Sequence, residues 1–408
     1  MPTETKFSIP NGILTLHRHT VDTDKSLRAW DAGDEYALSE IWEKELQKPA
    51  NKTLVINDGF GALSIGLVKY VVSIDSQIRV ISDSVIAHSA IKKNANANGI
   101  NTKQIQLISR FEFSKIAVKT TYDLVVIKIP KSLAELEDIL VRIRPHINNQ
   151  TQVIGAAMIK RIHNSTLALF EKYLGTTTTS LAKKKARLIY SEVKQPYSDI
   201  PTNSAKQFRV DRRISQTPED LLIASYPGVF CHGSLDYGTE LMLKSMKFEP
   251  ISGPIPEPIK GSGMNILDLG CGSGVLGIAA AIGFPEAKIH FVDESYAAIE
   301  SVKESITLAL PESRKDQYKS TATNCLEGIP DNSQDLILNN PPFHDAAAKT
   351  TGVATQMFTE SKRVLRSGGQ LQVVANRHLG YHKAIKEIFG NCETIASNKK
   401  FVILRAIK

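Results

Sequence analysis

Cysteine is scarce in this sequence: four residues in 408 (Cys231, Cys271, Cys325 and Cys392), with no CxxC pair among them. Such a set supports neither a disulfide framework nor a zinc site, and reduced thiols are the default. Long hydrophobic runs are missing as well. The longest near-continuous apolar stretch, Val275 to Phe284, is well short of the ~20 residues a bilayer-spanning helix needs. The amino terminus, Met1 to Asn11, lacks the basic stretch and apolar core of a secretory signal. Glycine and proline, 25 and 18 residues, are too few for a collagen-like chain, and 42% hydrophobic content is too high for a disordered one. The sequence is therefore expected to be soluble and cytoplasmic. At ~150 residues per domain, the length suggests two or three domains.

Charge is modestly positive, 50 Lys and Arg against 42 Asp and Glu. Its placement is more telling than its sum. Between Ser180 and Ser215 lie Lys183, Lys184, Lys185, Arg187, Lys194, Lys206, Arg209, Arg212 and Arg213, opposed only by Glu192, Asp199 and Asp211. Tyr190, Tyr197 and Phe208 stand among them. Aromatic rings between cations suit unpaired bases beside phosphates. A solvated linker is the competing interpretation of the same stretch.

Comparison of the chain with itself is the informative step. In the second half, Asn265-Ile-Leu-Asp-Leu-Gly270-Cys-Gly272-Ser-Gly274-Val-Leu-Gly277 reads as a buried strand, a glycine turn and the start of a helix. In the first half, Leu54-Val-Ile-Asn57-Asp-Gly59-Phe-Gly61-Ala-Leu63-Ser-Ile-Gly66 reads the same way. Pairing Gly59 with Gly270, Asp83 with Asp293 and Asp123 with Asp335 keeps three landmarks nearly in step. Two copies of one α/β unit are expected, each a mostly parallel, doubly wound sheet covered by helices. In the second copy the pattern predicts strands near 266–269, 289–293, 336–339, 371–375 and 401–406. Helices are predicted near 275–282, 296–308, 354–365 and 382–389. The domains are read as 1–190, a basic linker over 191–225, and 226–408.

Gly270, Gly272 and Gly274 form a GxGxG at a strand-to-helix turn, where a Cβ would block a ligand's approach to backbone. Dinucleotide sites use a similar turn. Two carboxylates shift the balance. Asp268, two residues before the first glycine, would repel a pyrophosphate and attract a cationic or amine-bearing ligand. Asp293 closes the next strand, where an acidic side chain accepts from ribose hydroxyls. S-adenosylmethionine fits that combination better than NAD does.

After the strand Asp335-Leu-Ile-Leu-Asn339 comes Asn340-Pro341-Pro342-Phe343-His344. Ligands of open α/β sheets bind outside the carboxyl ends of the strands, where this segment lies. The two prolines fix the backbone and remove two N–H donors. Their carbonyls, with the Asn340 side-chain oxygen, form an acceptor pair suited to a planar NH2 group. Phe343 offers a ring for stacking a base. His344 and Asp345 read as loop residues, because no base is needed there. Cys271 reads as a small filler, not a nucleophile.

Asn340-Pro-Pro-Phe343 together with Asp268-Leu-Gly-Cys-Gly-Ser-Gly274 resembles the class I (Rossmann-like) S-adenosylmethionine-dependent methyltransferases that modify exocyclic or amide nitrogens. The stretch from Pro227-Gly-Val-Phe230 through Asn340-Pro-Pro-Phe-His344 to Val374-Ala-Asn-Arg377-His378 is similar to the bacterial rRNA guanine-N2 methyltransferases with two tandem methyltransferase-like domains. Ala375-Asn-Arg-His-Leu379 and Ile388-Phe-Gly-Asn-Cys392 favour the large-subunit branch. The resemblance implies a seven-stranded sheet in the second half and N2-methylation of a guanine in 23S rRNA. It also implies roles for individual residues. Asp268, Gly270, Gly272 and Gly274 would shape the methionine side of an S-adenosyl-L-methionine pocket, Asp293 would hold the ribose, and Asn324 would lie beside the adenine. Asn340, Pro341 and Phe343 would hold the guanine.

In the first half these motifs are altered: Asn57 stands opposite Asp268, Leu63 opposite Gly274, and Lys128-Ile-Pro-Lys131 opposite Asn340-Pro-Pro-Phe343. That half is expected to keep the fold without binding cofactor and to recognise RNA. Lys183, Lys184, Lys185 and Arg187, with Lys128 and Lys131, are its candidate phosphate contacts. Arg377 is a further RNA candidate on the second half, and Asp236 and Thr239 are candidates to reach the cofactor. No metal site is expected, and the protein is expected to be a monomer. The same reaction on 16S rRNA, or a non-catalytic RNA-binding assembly factor, are the rival readings.

Overall fold

The structure is a computed structural model that describes residues 4–20, 26–45, 51–70, 77–117, 120–194, 205–246, 263–342 and 349–408. The chain divides into two compact units, the first ending at Asn203 and the second running over Ser204–Lys408.

The first unit opens with a hairpin, β1 (Lys6–Ile9) and β2 (Gly12–Thr15), followed by α1 (Ala32–Glu45). Strands and helices then alternate: β3 (Lys52–Ile56), α2 (Ala62–Tyr70), β4 (Gln77–Ile81), α3 (Val85–Ala97), β5 (Ile105–Ile108), α4 (Arg110–Phe113), β6 (Leu124–Lys128), α5 (Leu133–Ile143), β7 (Gln152–Met158) and α6 (Asn164–Tyr173). A second hairpin, β8 (Thr177–Thr179) and β9 (Ala186–Ser191), completes a seven-stranded sheet of order β5-β4-β3-β6-β7-β9-β8.

The second unit begins with the antiparallel hairpin β10 (Lys206–Val210) and β11 (Leu221–Ser225), with α7 (Arg212–Ser215) between its strands, and continues into α8 (Tyr237–Ser245). There follow β12 (Asn265–Leu269), α9 (Val275–Gly283), β13 (Lys288–Asp293), α10 (Tyr296–Ala309), β14 (Tyr318–Ala322), β15 (Gln334–Asn339), α11 (Lys349–Val364), β16 (Leu365–Asn376), α12 (Tyr381–Phe389), β17 (Glu393–Ser397) and β18 (Phe401–Ile407). Its sheet has the order β14-β13-β12-β15-β16-β18-β17, the same as the first. In each sheet the first five strands in that order run parallel and the long closing strand, β9 or β18, runs antiparallel to its neighbours. Two α/β sheets of seven strands are thus present, as the family resemblance implied for the second half.

Local chemistry explains the elements. The central strands are short apolar runs buried on both faces, as parallel strands covered by helices must be. Apolar residues surround α9 on all sides because it is enclosed, whereas α12 buries only Tyr381, Ile385 and Phe389, spaced by four on one face. Residues 191–225, read from sequence as a linker, include the β10–β11 hairpin. Val210, Leu221 and Ile223 join the apolar core of the second unit. Ser305 and Ser301 of α10 accept from the backbone N–H groups of Ala224 and Tyr226, both at 2.9 Å.

Strand register fixes how the two copies correspond. Ile56 lies between Ile81 and Ile127, and Leu269 lies between Val292 and Asn339. The equivalent of Gly270 is therefore Asn57: the Asn57 N–H donates to Ile81 O at 2.9 Å and the Gly270 N–H to Val292 O at 2.8 Å. The same register sets Ser82 against Asp293 and Lys128 against Asn340. This corrects the pairing of Gly59 with Gly270 and of Asp83 with Asp293: both turns span five residues between strand and helix, and the glycines sit at different places within them. Leu63 consequently does not occupy the place of Gly274; Gly61, at φ +93°, does. Asp123 and Asp335 remain equivalent. Each accepts backbone N–H groups at the start of the neighbouring strand, from Asn51 and Lys52 at 2.9 Å, or from Asn265 at 2.8 Å.

Helix α9 approaches β13 at Gly277, where an added Cβ would lie 2.9 Å from both Cδ1 and Cζ of the fully buried Phe291. Gly277→Ala is expected to destabilise the second unit by about 1–3 kcal/mol despite the better helix propensity of alanine. Thermal unfolding checks this; an unchanged or raised midpoint would show that the Phe291 ring yields freely.

Candidate functional site

Five short connections meet at the carboxyl edge of the second sheet, and its two central strands carry the site. Between β12 and α9 the chain turns through Gly270 (φ +68°), Gly272 (φ +52°) and Gly274 (φ +83°). Backbone conformation, not crowding, demands glycine at the first two. A Cβ at Gly270 would meet nothing nearer than Met357 Cε at 3.6 Å, and one at Gly272 nothing nearer than Val229 Cγ1 at 3.9 Å. A left-handed conformation costs an L-residue about 1–2 kcal/mol. The turn thus presents bare backbone to an open space.

Asp293, at the end of β13, is fastened to this turn. Its Oδ2 accepts from the Gly272 N–H and its Oδ1 from the Ser295 N–H, each at 2.9 Å. These two bonds to backbone N–H groups orient the carboxylate against the turn. Thr323 N–H donates to Asp293 O at 2.8 Å, which sets the half-buried Asn324 one residue further along the same edge. The residues fit a ribose-bearing cofactor: a glycine cradle, an oriented carboxylate, and an amide beside it.

Asp268 lies beneath the turn, not in the open space. It is 2% exposed, and its Oδ2 accepts from the Gly277 N–H in the first turn of α9 at 2.8 Å. Burial first, and the Asp293 carboxylate second, push its acid constant up to about 8. The residue fastens strand to helix. The attraction for a cationic ligand inferred from its sequence position is replaced by this bond. Cys271 is buried, and burial with two nearby carboxylates raises its thiol well above the ordinary value, which agrees with a filler.

Asn340 follows β15, adjacent to the turn. Its Nδ2 donates to Asp236 Oδ2 at 3.1 Å and to Thr239 Oγ1 at 2.9 Å, while its Oδ1 is buried without a hydrogen-bond partner. Asp236 caps α8, its Oδ2 also accepting from the N–H groups of Gly238 and Thr239 at 2.9 and 3.0 Å. Asp236 and Thr239, singled out in the sequence as cofactor contacts, therefore grip the amide of Asn340. Sequence gave no sign of that partnership across 104 positions, although Asp before Tyr-Gly-Thr is a recognisable helix-capping pattern. Asn339 was passed over as well. It is fully buried, and its Nδ2 ties β15 to β12 through Leu269 O at 2.8 Å. Pro341 is buried and Pro342 exposed. Phe343, His344 and Asp345 lie outside the described residues.

Arg377 follows β16 on the same edge, exposed, with its N–H and Nε donating to Lys400 O and Asn398 O at 3.2 and 2.9 Å. The other proposed RNA contacts belong to the first unit. Lys183, Lys184 and Lys185 form the exposed tip between β8 and β9, with Lys184 (φ +48°) and Lys185 (φ +65°) left-handed. Lys184 Nζ pairs with Glu35 Oε2 at 2.8 Å and Lys183 Nζ stands 4.6 Å from the Tyr36 ring centre, whereas Arg187 is half-buried on β9. Lys128 is not a surface cation: it is held by Asp31 and Asp34 at 2.7 and 2.8 Å. That corrects its assignment as a phosphate contact. Among the described residues no helix is long and apolar enough to cross a membrane, and no group of three or more His, Cys, Asp and Glu could hold a metal ion.

A sheet of this order, with a glycine turn after its first central strand and Asn-Pro-Pro after the next, defines a class I methyltransferase. Residues 4–195 match the RLMG N-terminal domain and residues 220–405 the methyltransferase small domain. Over 404 residues the chain is 38% identical to a ribosomal RNA large subunit methyltransferase G of Psychromonas ingrahamii, covering 98% of both chains. Identity is also 38% to the protein of that name from Vibrio vulnificus, over 99% of this chain and 100% of that one. The chain belongs to the ribosomal RNA large subunit methyltransferase G family. In fold it is similar to a T. thermophilus 16S rRNA N2 G1207 methyltransferase solved with AdoMet and guanosine, at a TM-score of 0.73 and 21% identity, covering 99% of this chain and 97% of that one.

The buried Asp268 makes a prediction about pH. The folded chain keeps its proton up to about pH 8, while the unfolded chain releases it near the ordinary 3.8. Between those values the folded state binds more protons, so stability falls as pH rises through the window and is fully present only below it. Asp268→Asn keeps an acceptor for Gly277 and removes the titration. Unfolding of the cofactor-free protein, followed from about pH 5 to 8, is expected to show a shallower loss in the variant. Parallel curves would place the Asp268 proton elsewhere.

Proposed function

We propose that this protein transfers a methyl group from S-adenosyl-L-methionine to the exocyclic N2 of a guanine in 23S rRNA, acting in the cytoplasm as a monomer. The observation that carries the reading is the Asn340 amide, whose buried oxygen has no hydrogen-bond partner among the described residues and which follows the strand paired with the one that leads into the glycine turn. An unpaired buried acceptor costs about 1–3 kcal/mol, and a ligand donor removes that cost. Family membership supplies the reaction class.

The chain's own groups divide the work. Gly270, Gly272 and Gly274 admit the cofactor to the backbone, Asp293 accepts from its ribose, Asn324 lies beside its adenine, and Asp268 keeps the cradle in shape. Bound there, S-adenosyl-L-methionine supplies a methyl group on a sulfonium. Asn340 Oδ1 and the carbonyl oxygens of the Asn-Pro-Pro segment accept the two N–H bonds of the guanine amine, and Phe343 stacks on the base. Those acceptors draw the lone pair, which is otherwise delocalised into the ring, toward tetrahedral geometry. No strong base is needed, because the proton leaves once the nitrogen is cationic. A guanine that is paired or stacked in the RNA must first be turned out.

On this reading residues 1–190 form a degenerate copy, 191–225 a basic connection and 226–408 the catalytic domain. The first copy has Asn57, Ser82 and Lys128 where the second has Gly270, Asp293 and Asn340. Its role is to hold RNA, with Lys183, Lys184, Lys185 and Arg187 on phosphates and Arg377 assisting from the catalytic domain. Two lysines in left-handed backbone at an exposed tip support this, since glycine or asparagine would hold such a turn with less strain.

Labelled cofactor with purified 23S and 16S rRNA, naked or in assembled subunits, tests the proposal; methylation of 16S alone would overturn the choice of RNA. Asn340→Ala is expected to lower transfer at least about a hundredfold while leaving cofactor affinity nearly unchanged. Replacing Lys183, Lys184 and Lys185 by alanine is expected to weaken RNA binding and reduce the slope of log affinity against log salt by about two. Identical slopes would leave those lysines to the solvent.

A further inference from the structure

We infer that Asp236 and Thr239 are positioning residues that lock the Asn340 amide with its oxygen, rather than its nitrogen, facing the base. The inference rests on the role of Asn340 proposed above. An asparagine amide is nearly symmetric in shape, so a half-turn exchanges an acceptor for two donors. Turned the wrong way, Asn340 would present N–H groups to an amine that also donates.

The geometry forbids that half-turn. Both Nδ2 hydrogens have acceptors, Asp236 Oδ2 at 3.1 Å and Thr239 Oγ1 at 2.9 Å. The threonine hydroxyl does not discriminate by itself, because it can donate as readily as accept. The carboxylate does: it only accepts, and a flipped amide would set oxygen against oxygen. Asp236 cannot swing aside, since the same Oδ2 takes the N–H groups of Gly238 and Thr239. The start of α8 is itself seated against β16, where a Cβ on Gly238 would lie 2.7 Å from Val374 Cγ1.

The carboxylate has a second effect. Drawing on the Nδ2 hydrogens polarises the amide and strengthens Oδ1 as an acceptor. It also places negative charge one amide away from an amine that becomes positive as its new N–C bond forms. A clamp of this kind acts on turnover more than on the binding of either substrate.

Asp236→Ser keeps a helix-capping oxygen but is too short to reach Asn340, and Thr239→Val removes one acceptor at constant shape. Each is expected to lower kcat about five- to tenfold or more, with the KM for rRNA and the affinity for S-adenosyl-L-methionine within about twofold. Asp236→Asn, whose Oδ1 still accepts from Asn340 but which carries no charge, is expected to turn over faster than Asp236→Ser and slower than the parent. A merely structural role would instead lower the melting temperature and raise both substrate constants together. If Asp236→Ser and Thr239→Val turn over like the parent while Asn340→Ala is inactive, the clamp is refuted and the role of Asn340 stands. If Asn340→Ala itself turns over normally, the proposed function of that residue fails first.

Discussion

Everything at the carboxyl edge of the second sheet depends on how β12 is joined to α9. Three left-handed glycines reverse the chain within five residues, and two carboxylates fix the result from opposite sides. Asp268 holds the helix start from below through Gly277, and Asp293 holds the turn from the neighbouring strand through Gly272. Neither bond would reach if the turn were longer. Glycine is favoured because the positive φ values cost other residues energy, and the bare backbone that results is what a ligand can approach. One constraint therefore serves folding and binding together.

The first unit shows the same sheet order under different local rules. Asn57 adopts φ +61° at the place of Gly270, which asparagine tolerates better than most residues, so the turn survives. Its Nδ2 donates to Lys128 O at 3.4 Å, across the point where the second unit has an open cradle. Nearby, Arg110 is buried among Asp83 and Asp138 at 3.7 and 3.3 Å, and burial pushes Glu135 up to about 7. Paired ionic groups occupy the interior of this edge, where the second unit has carboxyl groups bonded to backbone N–H groups of the glycine turn and of α9.

Much of this was legible in the sequence, for definable reasons. Strands buried on both faces are short apolar runs, so β12, β13, β15 and β18 are legible to within one or two residues and β16 in its apolar second half, while its polar start at Leu365–Gln370 is not; Val275 to Ile282 reads as an enclosed helix. The glycines and the Asn-Pro-Pro were visible because few residues satisfy such backbone demands. Edge strands were not: Tyr318–Ala322 and Glu393–Ser397 are half-exposed and carry no apolar run. The alignment of the two copies slipped because glycine spacing was matched where strand register decides. The direction of the Asp268 side chain and the grip of Asp236 on Asn340 depend on tertiary contacts, which no local pattern encodes.

Lys128 and Asn340 follow equivalent strands, and the difference between them shows how the two edges differ in local chemistry. Lys128 is an ammonium that has left bulk water, and it persists there because Asp31 and Asp34 both contact it. Those carboxylates are thereby committed, and burial still lifts Asp34 to about 6. The ammonium and its two carboxylates thus form a closed ion cluster at this place, with no uncompensated positive charge. Asn340 brings no charge, and Asp236 Oδ2, which also caps α8, takes one of its amide hydrogens. The two copies therefore differ in kind at this position, a charge clasped by two carboxylates in one and a neutral amide oriented by one carboxylate in the other, and Asn57 and Ser82 in place of Gly270 and Asp293 carry the difference along the rest of the edge.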